Sequence, residues 1–271
     1  MAKRVYIGVG GKARKVKKIY IGVAGVARKV KKAYIGVGGV ARIFWSGGEL
    51  EYYGVITPLS AGRRSLAAAS VGSYALFGGG YTDSAVSSVV DAYSASLTRS
   101  TPTALSAARC DLAGVPVGGY ALFGGGNTGG SSAYYRSTVV DAYNASLSRT
   151  IPTALSVGRD GLTAAPVGNY GLFAGGYRSS VQSTVDAYDT ALTRSTPTAM
   201  QFARTELAGA NIGSYALFGG GADANDNNVA YVDAYNASLT RSTATNLSAA
   251  RKLLGLLFHG WARGGIPLGG T

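Results

Sequence analysis

One cysteine, Cys110, and one histidine, His259, stand in 271 residues. A lone cysteine excludes a disulfide within the chain, and nothing then points to an oxidising folding compartment. Single copies of these two residues are also too few for a zinc site or a copper histidine pair. Cys110, between Arg109 and Asp111, reads as an ordinary strand residue, and His259, beside Gly260 and Trp261, as a packed aromatic neighbour. Long apolar runs are missing as well. Hydrophobic residues make up 46% of the chain, yet no run approaches the roughly 18 residues of a spanning helix. The opening MAKRVYIGVGGKARK is charged but has no sustained apolar core, so it is not read as a secretory signal. An external location would then be reached by assembly or lysis.

Negative charge is absent from the first 45 residues, which hold 12 basic side chains and no acidic one. The remainder carries 14 basic residues against all 13 acidic ones, so the net charge of +13 belongs almost wholly to the N-terminus. Electrostatic arguments about partners therefore apply to that segment alone. The 41 glycines, with frequent Ser and Thr, suit many short strands joined by tight turns.

Residues 4–42 repeat a short unit, with Tyr6, Tyr20 and Tyr34 spaced by 14. Val, Ile and Tyr alternate between turn candidates at Gly10-Gly11, Ala24-Gly25 and Gly38-Gly39, which predicts a β-meander of four strands of about ten residues. Lys15, Lys17 and Lys18, with Lys29, Lys31 and Lys32, then recur at one height as a basic stripe. Such a ribbon buries little by itself and points to an oligomer or a partner. The stripe suits a solvated face, an acidic protein surface or the phosphates of a nucleic acid. Gly8-Val9-Gly10-Gly11-Lys12 lacks the Ser or Thr and the helix of a nucleotide loop. The wording YIGVGGVARKVKKAYIGVGGVAR, over residues 3 to about 46, resembles the short tandem repeats that open many structural proteins of phages and prophages of Gram-positive bacteria. The resemblance implies a virion location, with residues 1–46 anchoring the chain to other virion proteins.

Residues 47–271 follow a longer period. YALFGGG or its variant begins at Tyr74, Tyr120, Tyr170 and Tyr215, and a VDAY segment follows each, its aspartates Asp91, Asp141, Asp186 and Asp233 lying 50, 45 and 47 residues apart. That is the period of a β-propeller blade. Arg63, Arg109, Arg159 and Arg204 each precede the first residue of the glycine triplet by 15 positions. In the second unit the four strands are predicted over 112–117, 120–123, 138–143 and 148–155. The glycine doublets Gly79-Gly80, Gly125-Gly126, Gly175-Gly176 and Gly220-Gly221, with Tyr93, Tyr143, Tyr188 and Tyr235, resemble the Kelch repeat over residues 63–247. The resemblance implies an all-β, Kelch-like propeller. Six residues after each tyrosine, where Kelch units usually carry Trp, stand Arg99, Arg149, Arg194 and Arg241. Glu51 to Leu59 matches a strand-four segment and Arg251 to Thr271 a worn pair of strands one and two, so a composite fifth blade is expected. In that tail Gly269 follows Arg251 by 18 residues instead of 15.

Features shared by all units serve the scaffold, and the four repeated aspartates are expected to be hydrogen-bond partners in strands or turns. Function is expected where the units differ. The segments after the glycines vary in length and are rich in Tyr, Asn, Asp, Ser and Arg, the chemistry of binding loops. They supply the candidate ligand contacts Tyr81, Asp83, Asn127, Tyr134, Tyr135, Arg136, Tyr177, Arg178, Asp223, Asn225, Asp226, Asn228 and Tyr231. Solvated turns are the plainer reading of the same loops. The Asp and Asn oxygens of 223–228 lack an EF-hand register, so no metal is expected. Asn144, Asn236 and Asn246 open Asn-X-Ser triplets but fall where other units carry turn residues. No unique carboxylate pair stands out for glycoside hydrolysis, and neither an enzyme nor a cofactor is expected. The expected function is a phage virion accessory protein whose propeller loops bind a host-surface glycan or protein. A purely architectural capsid or tail decoration protein and a nucleic-acid binder are the alternatives.

Overall fold

The computed structural model describes residues 55–252 with their side chains, and the backbone of six strand segments within residues 6–46. The chain divides into two compact units, Met1–Val55 and Ile56–Thr271. In the first, three antiparallel hairpins pair Tyr6–Val9 with Lys12–Lys15, Tyr20–Val23 with Val26–Lys29, and Lys32–Val37 with Val40–Ser46. The innermost pairs, Val9↔Lys12, Val23↔Val26 and Val37↔Val40, flank the three expected turns. The described strands are six and short, where four long ones were expected. Lys15 and Lys29 take the same register position, opposite Tyr6 and Tyr20, and Lys32 opens the third hairpin opposite Ser46. Lys17, Lys18 and Lys31 lie outside the described residues.

The second unit contains four four-stranded antiparallel sheets with the strands in sequence order. In the second sheet these are Ala113–Val117, Tyr120–Gly124, Val140–Asn144 and Arg149–Thr150. Alternation predicts the first three to within two residues. The fourth is two residues long instead of eight, because the chain leaves the sheet to serve the next blade. Tyr143 Oη donates to Thr103 O at 2.8 Å, and Ser106 N donates to Asp141 Oδ1 at 3.0 Å, both from the connection preceding the second sheet. The four first strands, Ala67–Val71, Ala113–Val117, Thr163–Val167 and Ala208–Ile212, line a cavity of about 240 Å³. All-β sheets arranged in this way form a propeller-like fold.

Small residues let neighbouring sheets approach. A Cβ on Gly78 would stand 3.1 Å from the ring of Phe123, and one on Gly124 2.8 Å from that of Phe173. Phe123, Phe173 and Phe218 are wholly buried and meet Tyr143, Tyr188 and Tyr235 edge-on at 5.8–5.9 Å. The glycine after each motif is required by the backbone. Gly125 has φ +72°, and its Cβ would fall 2.7 Å from Arg159 O.

The largest fully buried side chains are arginines, Arg109, Arg159 and Arg204. Each comes from the connection entering its sheet and meets that sheet's aspartate: Arg63 with Asp91 at 2.8 Å, Arg109 with Asp141, Arg159 with Asp186 at 2.9 Å and Arg204 with Asp233 at 2.8 Å. The expectation that the aspartates are structural is met. The arginines six residues after the repeated tyrosines approach the same carboxylates, with Arg194 2.9 Å from Asp186 and Arg241 3.0 Å from Asp233. Burial pulls Arg109 and Arg159 below the ordinary guanidinium range, and the aspartate partner works against it.

The outer faces of the first and fourth sheets are open. Ile212 is 66% exposed and Tyr215 44%. Leu97 is exposed, whereas its equivalents Leu147, Leu192 and Leu239 are packed between sheets. A Cβ on Gly72, Gly118 or Gly168 would meet Ala145, Thr190 or Ala237 of the next sheet at 2.8–3.2 Å, but one on Gly213 meets nothing within 4 Å. Of the expected composite fifth blade, residues 55–59, 251 and 252 are described and form no strand. Residues 55–59 instead form the connection into the first sheet, where Thr57 O accepts from Tyr93 Oη at 2.8 Å. Residues 51–54 and 253–271 lie outside the described residues, His259 among them.

Two outcomes follow from this core. Replacing Arg159 by Leu leaves Asp186 Oδ2 without its guanidinium, while Oδ1 keeps Arg194 and the Ser156 N–H, and is expected to cost about 3–5 kcal/mol in urea unfolding, with part of the loss recovered in the Arg159→Leu/Asp186→Leu double variant. Burial, and after it the neighbouring aspartate, raises the phenols of Tyr143, Tyr188 and Tyr235 above the ordinary tyrosine range; burial and Asp111 do the same to the Cys110 thiol. Below the ordinary values both folded and unfolded chains keep these protons. Above about pH 9 for the thiol and about 10 for the phenols, the unfolded chain loses them while the folded one holds them, so stability falls as pH rises. Phenolate absorbance from these three tyrosines should therefore grow in only together with loss of the β-sheet circular dichroism.

Candidate functional site

Strand connectivity puts the loops joining strands two and three on the same face as the connections that lead from strand four into the next sheet. Each glycine-end loop is pinned there by a bridge to the residue after the buried arginine: Arg64↔Tyr81, Cys110↔Asn127, Asp160↔Tyr177 and Thr205↔Ala222. The candidate contacts fall on this face in separate groups. In the first sheet the Arg64 guanidinium lies 4.9 Å from the Tyr81 ring centroid, and Asp83 is exposed. The second and third sheets share a polar group. Arg136 pairs with Asp160 at 2.9 Å, donates to Gly130 O at 2.9 Å and stands 5.8 Å from the Tyr177 ring, while Asn127 Nδ2 also donates to Gly130 O at 2.9 Å. These side chains are engaged with one another and hold two loops together.

Tyr134 sits in a single 3-10 turn, Ala133–Tyr135, capped by Ser132, and is 98% exposed. Tyr135 is half-exposed and Arg178 is exposed. None of the three lines the cleft between the third and fourth sheets.

Between the loops of the third and fourth sheets lies a cleft of about 300 Å³, lined by Val181, Phe202, Asp223, Asn225, Val229 and Tyr231 among others. Phe202 and Tyr231 stack with centroids 4.3 Å apart at 33°, each more than a third exposed. Asp223 shapes the opposite wall. Its Oδ1 accepts the backbone N–H groups of Asn225 at 2.8 Å and Asn227 at 2.9 Å, closing a tight turn with Asp226 at φ +63°. The Asn227 N–H, followed by that of Asn225, holds this carboxyl below the ordinary aspartate range despite some desolvation. Asp226 faces away to Lys252, 2.5 Å from its Nζ, and Asn228 bridges to Ala222. Three of the sequence candidates, Asp223, Asn225 and Tyr231, thus share one cleft.

Phe202 was not among the candidates. It stands two residues before Arg204, where the other units carry Ala61, Ala107 and Val157. Tyr231 stands two before Asp233, in place of Val89, Val139 and Thr184. Aligning the units on their arginines exposes both departures; Phe202 lies outside the glycine-end loops that hold the sequence candidates. Asn144 and Asn236 cap turns as expected, each Oδ1 accepting two backbone N–H groups at 3.0 Å.

No protein-family model matches the chain, and no curated protein matches it. Among solved structures, that of YjhT is similar, with a TM-score of 0.58 and 11% identity over 73% of this chain and 69% of that one. At that identity the likeness establishes the fold alone, an all-β, propeller-like architecture.

Proposed function

We propose that the chain is a phage virion accessory protein whose basic N-terminal repeats attach it to the particle and whose propeller presents a glycan-binding face. The fold is read as Kelch-type with five blade positions. Support for a fifth position comes from the open faces of the first and fourth sheets and from Arg251, which continues the series of sheet-entering arginines. The virion reading draws on the wording of the N-terminal repeats. The observation that carries the binding reading is the Phe202–Tyr231 pair. Two rings stand side by side and partly exposed at positions where the scaffold uses small residues, facing a wall of Asp223 and Asn225. Apolar faces with a few fixed polar groups at the edge suit a pyranose ring, which offers C–H bonds on one face and hydroxyls at its rim.

Binding to an array of bacterial-surface glycans should be lost on changing Phe202 or Tyr231 to Ala, with weakening of about tenfold for each, near the roughly 1.4 kcal/mol of one aromatic contact. A blank array with the unaltered protein favours the architectural reading. Deleting residues 1–46 should abolish incorporation into particles and leave the propeller folded. Incorporation that persists removes the anchor assignment. A steep fall of N-terminal binding with added salt, seen with a nucleic acid but not with virion proteins, would favour the nucleic-acid reading.

A further inference from the structure

Besides its two rings, the cleft between the third and fourth sheets departs from the scaffold at a third position. The second residue after each glycine doublet turns its N–H back into its own loop: Thr82 to Ala85 O and Thr128 to Tyr135 O at 2.9 Å, Arg178 to Ser180 O at 3.1 Å and Asp223 to Asn227 O at 3.0 Å. The position is neutral or basic in the first three units and acidic only in the fourth. The turn that Asp223 closes does not require this charge. Its Oδ1 accepts the N–H groups two and four residues on, and the residue three on, Asp226, has a positive φ. Asn144, Asp189 and Asn236 close the same turn in the hairpins between strands three and four, ahead of Leu147, Leu192 and Leu239, and all four turns have φ between +59° and +64° at that place. The turn calls only for an acceptor oxygen, and the neutral amide of Asn supplies it as well as a carboxylate does. The negative charge of Asp223 is surplus to the fold.

Within the cleft that charge is unopposed. The other charged side chain on its walls is Arg204, which is fully buried and paired with Asp233 at 2.8 Å. Lys252 is engaged by Asp226, on the side of the turn that faces away. Among the described residues no cation pairs with Asp223, and its Oδ2 meets only the Asn227 side-chain amide at 3.3 Å. The backbone N–H of Asn227, opposed by some desolvation and aided by that of Asn225, holds the carboxyl below the ordinary aspartate range, so it is ionised at neutral pH. Phe202 and Tyr231 line the same cleft with their rings partly exposed, and the face of an aromatic ring attracts a cation through its quadrupole. A carboxylate and two aromatic rings around one space are the groups that recognise an ammonium ion. We propose that the cleft selects a hexosamine whose amino group is free and protonated, with Asp223 as the residue that determines this specificity. The proposal rests on the glycan-binding reading and adds the charge of the ligand to it. An N-acetylated sugar gives Asp223 no counter-charge, and an acidic sugar meets it with a charge of the same sign.

The test compares the tetramer of glucosamine with its fully N-acetylated counterpart, each titrated into the full chain at neutral pH. The glucosamine tetramer should bind about fivefold more tightly, the combined effect of a partly exposed ion pair and a cation over an exposed ring. Asp223→Asn, whose amide closes the same turn, should erase this preference by weakening the glucosamine tetramer while the acetylated one binds as before. Asp189→Asn removes the same unit of charge from the opposite end of the third sheet, at a place where the second and fourth units carry Asn144 and Asn236, and should leave the preference intact. Equal binding of the two tetramers overturns the proposal. So does a preference that survives Asp223→Asn, or one that falls as far in Asp189→Asn, since either places its source outside the cleft. Failure of the glucosamine tetramer to bind, beside array glycans that bind in a Phe202-dependent way, overturns the proposal and leaves the glycan-binding reading standing. An array blank throughout removes that reading and this proposal with it.

Discussion

An aspartate wholly buried between two arginines recurs in every sheet, and the rest of the propeller is arranged around it. One arginine arrives from the connection that enters the sheet; the other belongs to the short fourth strand. A backbone N–H from the same connection completes the carboxylate's partners, from Ser60, Ser106, Ser156 or Gln201 at 3.0–3.1 Å. Taking such charges out of water is costly, and only this full set of partners makes it tolerable. The consequence is topological. Sheets that share no ladder are tied in series, because each connection must deliver its arginine into the next sheet.

That tie also explains which spacings are fixed. From arginine to glycine triplet the count is 15 in every unit, since the guanidinium must also reach the end of the second strand, as Arg159 does at Phe173 O and Arg204 at Phe218 O. From arginine to aspartate the count runs from 27 to 32. The difference is taken up in the tip of the glycine-end loop, beyond the bridged pairs Tyr81↔Val86, Asn127↔Arg136, Tyr177↔Val181 and Ala222↔Asn228. Loop closure adds little free energy per extra residue, so length can change there without loosening the sheet.

Periodicity made the four sheets legible, because a motif repeated at a blade's spacing leaves few alternatives. It also identified the aspartates as structural, since a catalytic carboxylate has no reason to recur in each unit. The arginines carry the same information, since their constancy beside a constant aspartate implies a buried pair. Strand four was overestimated because Thr-Pro-Thr-Ala-Leu reads as extended chain. It is extended, but its carbonyls go to a tyrosine hydroxyl and a guanidinium of the next sheet, as Thr103 O to Tyr143 and Ala104 O to Arg149, and local pattern cannot report a partner 40 residues away. In the candidate site, Asp223, Asn225 and Tyr231 were found from loop composition. Phe202 was not, because it belongs to a connection that otherwise looks constant.

The cleft is a product of the same ion pair. Phe202 precedes Arg204 by two residues and Tyr231 precedes Asp233 by two, and Arg204 and Asp233 are held 2.8 Å apart. Tyr231 directly precedes the third strand and Phe202 lies at a bend in the connection that delivers Arg204, so the fixed pair sets both residues at one end of the sheet, where their rings stack 4.3 Å apart. The other units hold Ala61 and Val89, Ala107 and Val139, or Val157 and Thr184 in these places. Those side chains are smaller, and only the fourth unit places two stacked rings here. Each blade therefore carries a latent pair position that the scaffold holds rigid, and in the fourth sheet that pair has become a wall of the cleft without any change to the core beneath it.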